Sequence, residues 1–228
     1  QEYIIDIIDF QTWALERGKQ DLPKGYEHWI IKFPTSTDAI DIANIEFAYS
    51  QMATAAGLKM SECRLFKGDT KNSYFGTKRF DRIGNDRLHL HSAAGLLHDN
   101  FRLSSMDYGH LMDAAFRLEK QVSAYEKVLR LAAFNVFAHN RDDHSKNVSF
   151  LMNKSGKWSL APAYDLTFSY GPGGEHSTTY LNEGKNPTKD HLEKLGVKHS
   201  IKEYKKIIEE VSNTVSQFKY YAKNVELS

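Results

Sequence analysis

The sequence predicts an α+β fold in two lobes: a small mixed lobe with a β-sheet over residues 1–82 and a larger, mainly helical lobe over 83–228. Three observations carry that expectation. Up to about residue 82 the pattern reads strand, helix, hairpin. Beyond residue 85 apolar residues recur at helical spacing. Within that second part, the polar stretch 140–145 of "FNVFAHNRDDHSKNVSF" separates two apolar runs that want to be buried.

Taken in order, residues 2–10 alternate and read as a strand. "HWIIKFP" (28–34) is a stronger strand, rich in Trp and Ile and ended by Pro34. Residues 41–57 predict a helix, with Ile45, Ala48, Met52 and Ala55 at helical spacing, Asp41 as cap and Gly57 as stop. "ECRLFKGDTKNSYFGTKRF" reads as a hairpin turning at Gly68-Asp69. Residues 106–119 are amphipathic. Residues 122–138 are apolar around most of the circumference, which marks a helix buried on nearly all sides. "VSFLM" and "KWSLA" form a second hairpin around "NKSG", and 200–223 predicts one long amphipathic helix. The change of character near residue 83 puts the candidate site in the cleft between the lobes.

Composition narrows the class. Thirty basic and 29 acidic side chains leave a net charge of +1, which offers no argument for nucleic acid or an anionic membrane. The longest apolar runs fall well short of a spanning helix, and no signal peptide is visible. Cys63 is the sole cysteine, so no internal disulfide can form and a cytoplasmic location is expected.

The chemistry concentrates in the polar loop. Adjacent carboxylates beside a core destabilise it unless something compensates their charge. With the second hairpin folded about residues 154–155, Asn147 lies opposite residue 162. Asp165 then follows the same end by a few residues, ~10 Å at ~3.3 Å per residue. Asn147, Asp142 and Asp165 can therefore share one small volume, and such a hard-oxygen set suits magnesium. Asp143 reads as a supporting or surface acid. Asp142 precedes Asn147 by five residues, the interval of the kinase loop H-R-D-x-x-x-x-N; Arg141 matches it and Asn140 replaces the His. Asp165 follows 18 residues after Asn147, in "AYDL" rather than D-F-G. Upstream, Lys32 sits mid-strand and Glu46 on the next helix, a natural ion pair. The ordered set is that of a protein kinase.

Plainer readings stand beside it. Asp142 and Asp143 alone suit a solvated loop, Lys32 a snorkelling core-edge lysine, and Glu46 a helix-surface acid. His139 and His144 lack further zinc-type ligands at metal-site spacing. Trp13, Trp29 and His110 read as packing residues, and "KEYKK" with Glu209 and Glu210 as a solvated helix face.

In the same order, "WIIKFP", "TKRFDR", "NRDDHSKN" and "LAPAYDL" resemble the signatures of HipA-like serine/threonine kinases, the toxins of bacterial HipBA-type toxin–antitoxin systems. The resemblance runs from about residue 28 to 225. It implies ATP and Mg2+ as cofactors and a protein hydroxyl as acceptor. Lys32 would hold the nucleotide phosphates with Glu46 as its partner. Lys78 and Phe80 would lie beside the adenine, Asp81 near the ribose, His144 next to the nucleotide, and Tyr164 in the pocket wall. Asp142 would be the catalytic aspartate, with Asn147 and Asp165 on magnesium. It further implies a protein substrate in the translation apparatus, a translation factor or an aminoacyl-tRNA synthetase, and a HipB-like DNA-binding antitoxin. One departure is plain. The family's glycine-containing phosphate loop with its regulatory serine should precede the lysine strand. Residues 1–31 hold only Gly18 and Gly25, and no serine comes before Ser36. Two other readings compete with a protein kinase: a kinase-fold phosphotransferase acting on a small molecule or lipid, and an inactive kinase-like binding module.

Overall fold

The computed structural model describes residues 2–9, 14–17, 25–35, 38–67, 73–102 and 104–225. The first part is an antiparallel five-stranded sheet, ordered β2-β1-β3-β5-β4, with one helix. Its elements are β1 (Glu2–Asp9), β2 (Ala14–Arg17), β3 (Tyr26–Phe33), α1 (Ile42–Ala55), β4 (Cys63–Lys67) and β5 (Ser73–Lys78). Trp13 and the Gly68-Asp69 turn lie outside the described residues. Asp41 stands at the N-cap of α1, but its side chain makes no capping bond.

Strand period 2 sorts the faces of β3. Trp29 and Ile31 are buried with Phe33, Phe66 and Tyr74 on one side. Ile30 and Lys32 face the other way, opposite Thr77 and Phe75 of β5. Gly76 lets β4 and β5 close up: a Cβ there would meet the Phe66 ring at 2.3 Å.

Short strands follow: β6 (Arg82–Ile83), β7 (Asp86–Arg87) and β8 (His89–Ser92), then the one-turn α2 (Ala93–Leu96). Their two- to four-residue lengths leave no readable periodicity, which is why the sequence did not predict them. Helices α3 (Tyr108–Glu119) and α4 (Ser123–Phe137) carry the core. Asp107 opens α3 with a reciprocal capping box to His110, so His110 caps rather than packs. As its pattern requires, α4 is buried on nearly all sides, from Ala124 to Val136. Strands β9 (Ser149–Met152) and β10 (Trp158–Leu160) form the second hairpin, with Phe150 opposite Leu160 and β8 added at the edge.

The expected helix over 200–223 is two helices, preceded by a third. Helix α5 (Lys189–Lys198), opened by a Thr188–His191 capping box, escaped the sequence reading. Helix α6 (Tyr204–Ser216) starts after a link from α5 in which Ile201 is buried. The chain turns at Gln217 into α7 (Phe218–Asn224). Thr214 and Ser216 bond back to the carbonyls of Glu210 and Asn213, weakening that last turn. The redirection brings Phe218 edge-on to Tyr49 of α1, ring centres 5.8 Å apart. Among the described residues no helix is long and apolar enough to cross a membrane.

Candidate active site

The face of β3 that carries Lys32 looks onto a cavity of about 290 Å³. Ile30, Met60, Phe75, Leu90 and Leu166 give it an apolar wall, and Lys32, Glu46 and Asp165 make one charged region of it. Lys32 Nζ lies 2.9 Å from Glu46 and 2.5 Å from Asp165, with the Lys32 and Glu46 side chains 6% and 3% exposed. Ions this deep are tolerated only when paired and hydrogen-bonded. Lys32 is therefore no snorkelling lysine, nor Glu46 a surface acid. Asp165 takes a left-handed backbone (φ 57°), a conformation Asp tolerates better than most residues.

Asp142 belongs to the same electrostatic cluster. Burial raises its carboxyl above the ordinary range, the nearby His144 opposes this, Asp165 and Asp143 raise it further, and Lys32 lowers it. The net shift is upward. Its side chain remains half-exposed. His144 Nε2 lies 3.7 Å from Asp142, and its ring meets Phe101 edge-on. Asn147 closes the loop by donating from Nδ2 to the Asp142 carbonyl at 2.9 Å, which leaves its amide oxygen as an acceptor.

The remaining sequence-predicted residues line the cavity with most of their polar groups engaged. Lys78 pairs with Glu27. Asp81 is buried and takes hydrogen bonds from Arg79 at 2.8 and 2.6 Å and from Arg82. Burial acts to raise the Asp81 carboxyl, but the Arg79 bonds and both guanidinium charges outweigh it and hold it below the usual range. Phe80 packs against Tyr164, 5.7 Å between ring centres. Burial pushes the Tyr164 hydroxyl up to about 12, and it donates to the Lys146 carbonyl. Asp142, His144 and Asn147 do not line this cavity; Asn147 borders a separate hollow of about 500 Å³ behind the hairpin.

The sequence reading missed how the loop is held. Asp143, 2% exposed, is a buried anchor rather than a surface acid. Tyr108, His176 and Tyr180 donate to it, as do the backbone amides of Ser177 and Thr178. No local pattern could announce donors 33 to 37 residues away.

Among the described residues no group of three or more His, Cys, Asp or Glu is arranged to hold a metal ion. Asp165, with one oxygen on Lys32, and Asn147, whose amide oxygen is not used by the loop bond, each offer an oxygen of the kind magnesium accepts while keeping waters.

A family model for the HipA-like C-terminal domain matches residues 10–218. The chain belongs to that family. Two solved structures share the HipA-like fold. Shewanella oneidensis MR-1 HipA, in its toxin–antitoxin complex with HipB and operator DNA, superposes with a TM-score of 0.60 at 18% identity. That match covers 86% of this chain but only 57% of HipA. The Helicobacter pylori proinflammatory kinase CtkA gives a TM-score of 0.53 at 15% identity, covering 88% of this chain and 90% of CtkA. At such identities the likeness is one of fold. No curated protein matches the sequence. In the HipA-like frame the five-stranded sheet, the Lys32–Glu46 pair and the Asp142–Asn147 loop follow one another as kinase parts do.

Proposed function

We propose that this HipA-like domain is an ATP-dependent serine/threonine protein kinase, working in the cytoplasm as the toxin of a toxin–antitoxin pair. One observation carries the reading: Lys32, buried between Glu46 and Asp165 at an apolar cavity, with Asp142 in the same charge cluster. The apolar wall suits a nucleobase, near Phe80 and Tyr164, with Lys78 and Asp81 at its rim. At about 290 Å³ it lies near the lower end of small-molecule sites. Lys32 holds phosphate oxygens and Glu46 keeps it in place. Asn147 and Asp165 would hold magnesium, which supplies neutralising charge at the transferring phosphate. Asp142 aligns the acceptor hydroxyl and accepts its proton; its raised carboxyl makes it a better base than an exposed aspartate. His144 stands 3.7 Å from it, outside the cavity wall, and would lie next to the nucleotide only where that extends towards the loop. The lobes divide near residue 82, with α1 belonging to the first.

Purified parent and Asp142→Asn proteins test this. The variant should lose ~10²–10⁴ in phosphoryl transfer while keeping its fold and magnesium-ATP binding. Equal rates would end the assignment. Radiolabel transfer to protein rather than to metabolites or lipid separates a protein kinase from a small-molecule kinase. A second reading is a nucleotide-binding module without turnover. A magnesium-ATP thermal shift with no phosphate release would support it. A substrate in the translation apparatus and a HipB-like antitoxin follow from the family alone, and co-purification with an operon-encoded partner tests the latter.

A further inference from the structure

The polypeptide on both sides of Asp142 is fastened to one distant segment. Before it, the Arg141 carbonyl accepts from the Ser177 amide at 3.2 Å and from the Ser177 hydroxyl at 3.3 Å. After it, Asp143 Oδ1 accepts from the amides of Ser177 and Thr178 at 2.8 and 3.2 Å. Oδ2 accepts from Tyr108, His176 Nδ1 and Tyr180 at 3.1, 3.0 and 3.2 Å. The Thr178 hydroxyl donates to the Asp143 carbonyl at 2.6 Å. The network runs on: Asn135 donates to the Tyr108 hydroxyl and accepts from Asn140, two residues before Asp142.

We infer that Asp143 is the positioning residue for Asp142: through Ser177, Thr178, His176 and the Tyr108–Tyr180 pair it fixes where the Asp142 carboxylate stands relative to Lys32 and Asp165. The inference rests on Asp142 acting as proposed above. A carboxylate 2% exposed is costly to bury, and here five donors saturate it. Three of them lie on 176–178 and one on Tyr180, on the chain that leads away from Asp165. Asp143 thus joins the loop bearing one acid to the segment following the other. It also accounts for Asn140, which replaces the His of the kinase pattern: its amide ends the same network. Asp142 itself spends no carboxylate oxygen on this scaffold, so its half-exposed side chain stays available to an acceptor.

The test compares Asp143→Asn, Tyr108→Phe and Tyr180→Phe with the parent. Readouts are phosphate release from magnesium-ATP, ATP affinity by calorimetry, melting temperature, and backbone hydrogen exchange over 140–147 and 176–180. A misplacement near 1 Å costs about 10²-fold in rate, so Asp143→Asn should lower kcat by about that factor with ATP affinity retained. The two Phe variants, which remove one donor each, should lower kcat by smaller factors. Unchanged kcat in all three well below their melting temperatures, with only the melting temperature reduced, would overturn the inference in favour of a passive scaffold. If Asp143→Asn does not fold, the isosteric Phe variants decide alone. If parent and Asp142→Asn release phosphate at the same rate, the phosphoryl-transfer reading fails by itself. Exchange then decides the tie: faster exchange over 140–147 in the variants sustains it, and parental exchange there overturns it.

Discussion

At the scale of single residues, Lys32 and Asp165 make the sharpest predictions. Lys32 compensates two carboxylates at once. Replacing it with Met leaves Glu46 buried beside Asp165 without its cation, so both stability and ATP affinity should fall. Asp165→Asn keeps the shape but removes a charged oxygen donor. Calorimetry should show ATP binding that no longer responds to magnesium; retained response would remove Asp165 from the metal assignment. Asp81 predicts a pH effect of definite sign. Its folded carboxyl sits below the unfolded value of about 3.9. The stabilisation is therefore present above that value and lost as pH falls through the folded one. Urea midpoints of the parent should drop between about pH 4 and the folded pKa, and Asp81→Asn should flatten that slope.

At the scale of elements, the turn after Asp165 and the start of α3 are the weak joints. Gly171 has φ +69°, and a Cβ there would come within 2.1 Å of the Glu175 carbonyl and 2.8 Å of Arg141 Cβ. Backbone cannot yield as a side-chain tip can, so Gly171→Ala should cost more than ~1 kcal/mol in denaturant unfolding. Asp107 caps Gly109 at 2.9 Å and also holds the Thr179 hydroxyl at 2.8 Å and the Asn182 amide at 3.0 Å. Removing an N-cap alone costs ~0.5–2 kcal/mol. Asp107→Ala should reach the upper end, because it also frees the chain running into Tyr180. Arg130 joins three elements, donating to the Ala56 carbonyl after α1 and to Glu210 on α6.

At the scale of the whole molecule, α1 is shared property. It contributes Glu46 to the cavity, yet Tyr49, Met52 and Ala53 belong to the large helical core, and Tyr49 donates to the Ala138 carbonyl at 2.7 Å, just before the polar loop. Nucleotide binding at Lys32 should thus be felt by the global transition. At ~100 times Kd, ligand adds ~2.7 kcal/mol. For a chain of this size that is a melting shift of roughly 5–10 °C. Scanning calorimetry with and without magnesium-ATP checks it, and the magnesium-dependent part should vanish in Asp165→Asn.

Periodicity and spacing are local quantities, so a single chain displays them. Trp29 and Ile31 alternating with Lys32 mark β3, the apolar circumference of 122–138 marks a buried helix, and the five-residue interval from Asp142 to Asn147 marks the loop. Those features sufficed for the α+β class and for the Lys32–Glu46 ion pair. The partners of Asp143, the engagement of Asp81 by two arginines, the upward shift of Asp142 and the break at Gln217 were not legible. The partners of Asp143 come from distant parts of the chain and the shift of Asp142 from burial, while the arginines on Asp81 and the turn at Gln217 are local in sequence but depend on side-chain directions that spacing does not fix. Hydrogen-bond satisfaction and desolvation are properties of neighbours in space, and only folding decides who those neighbours are.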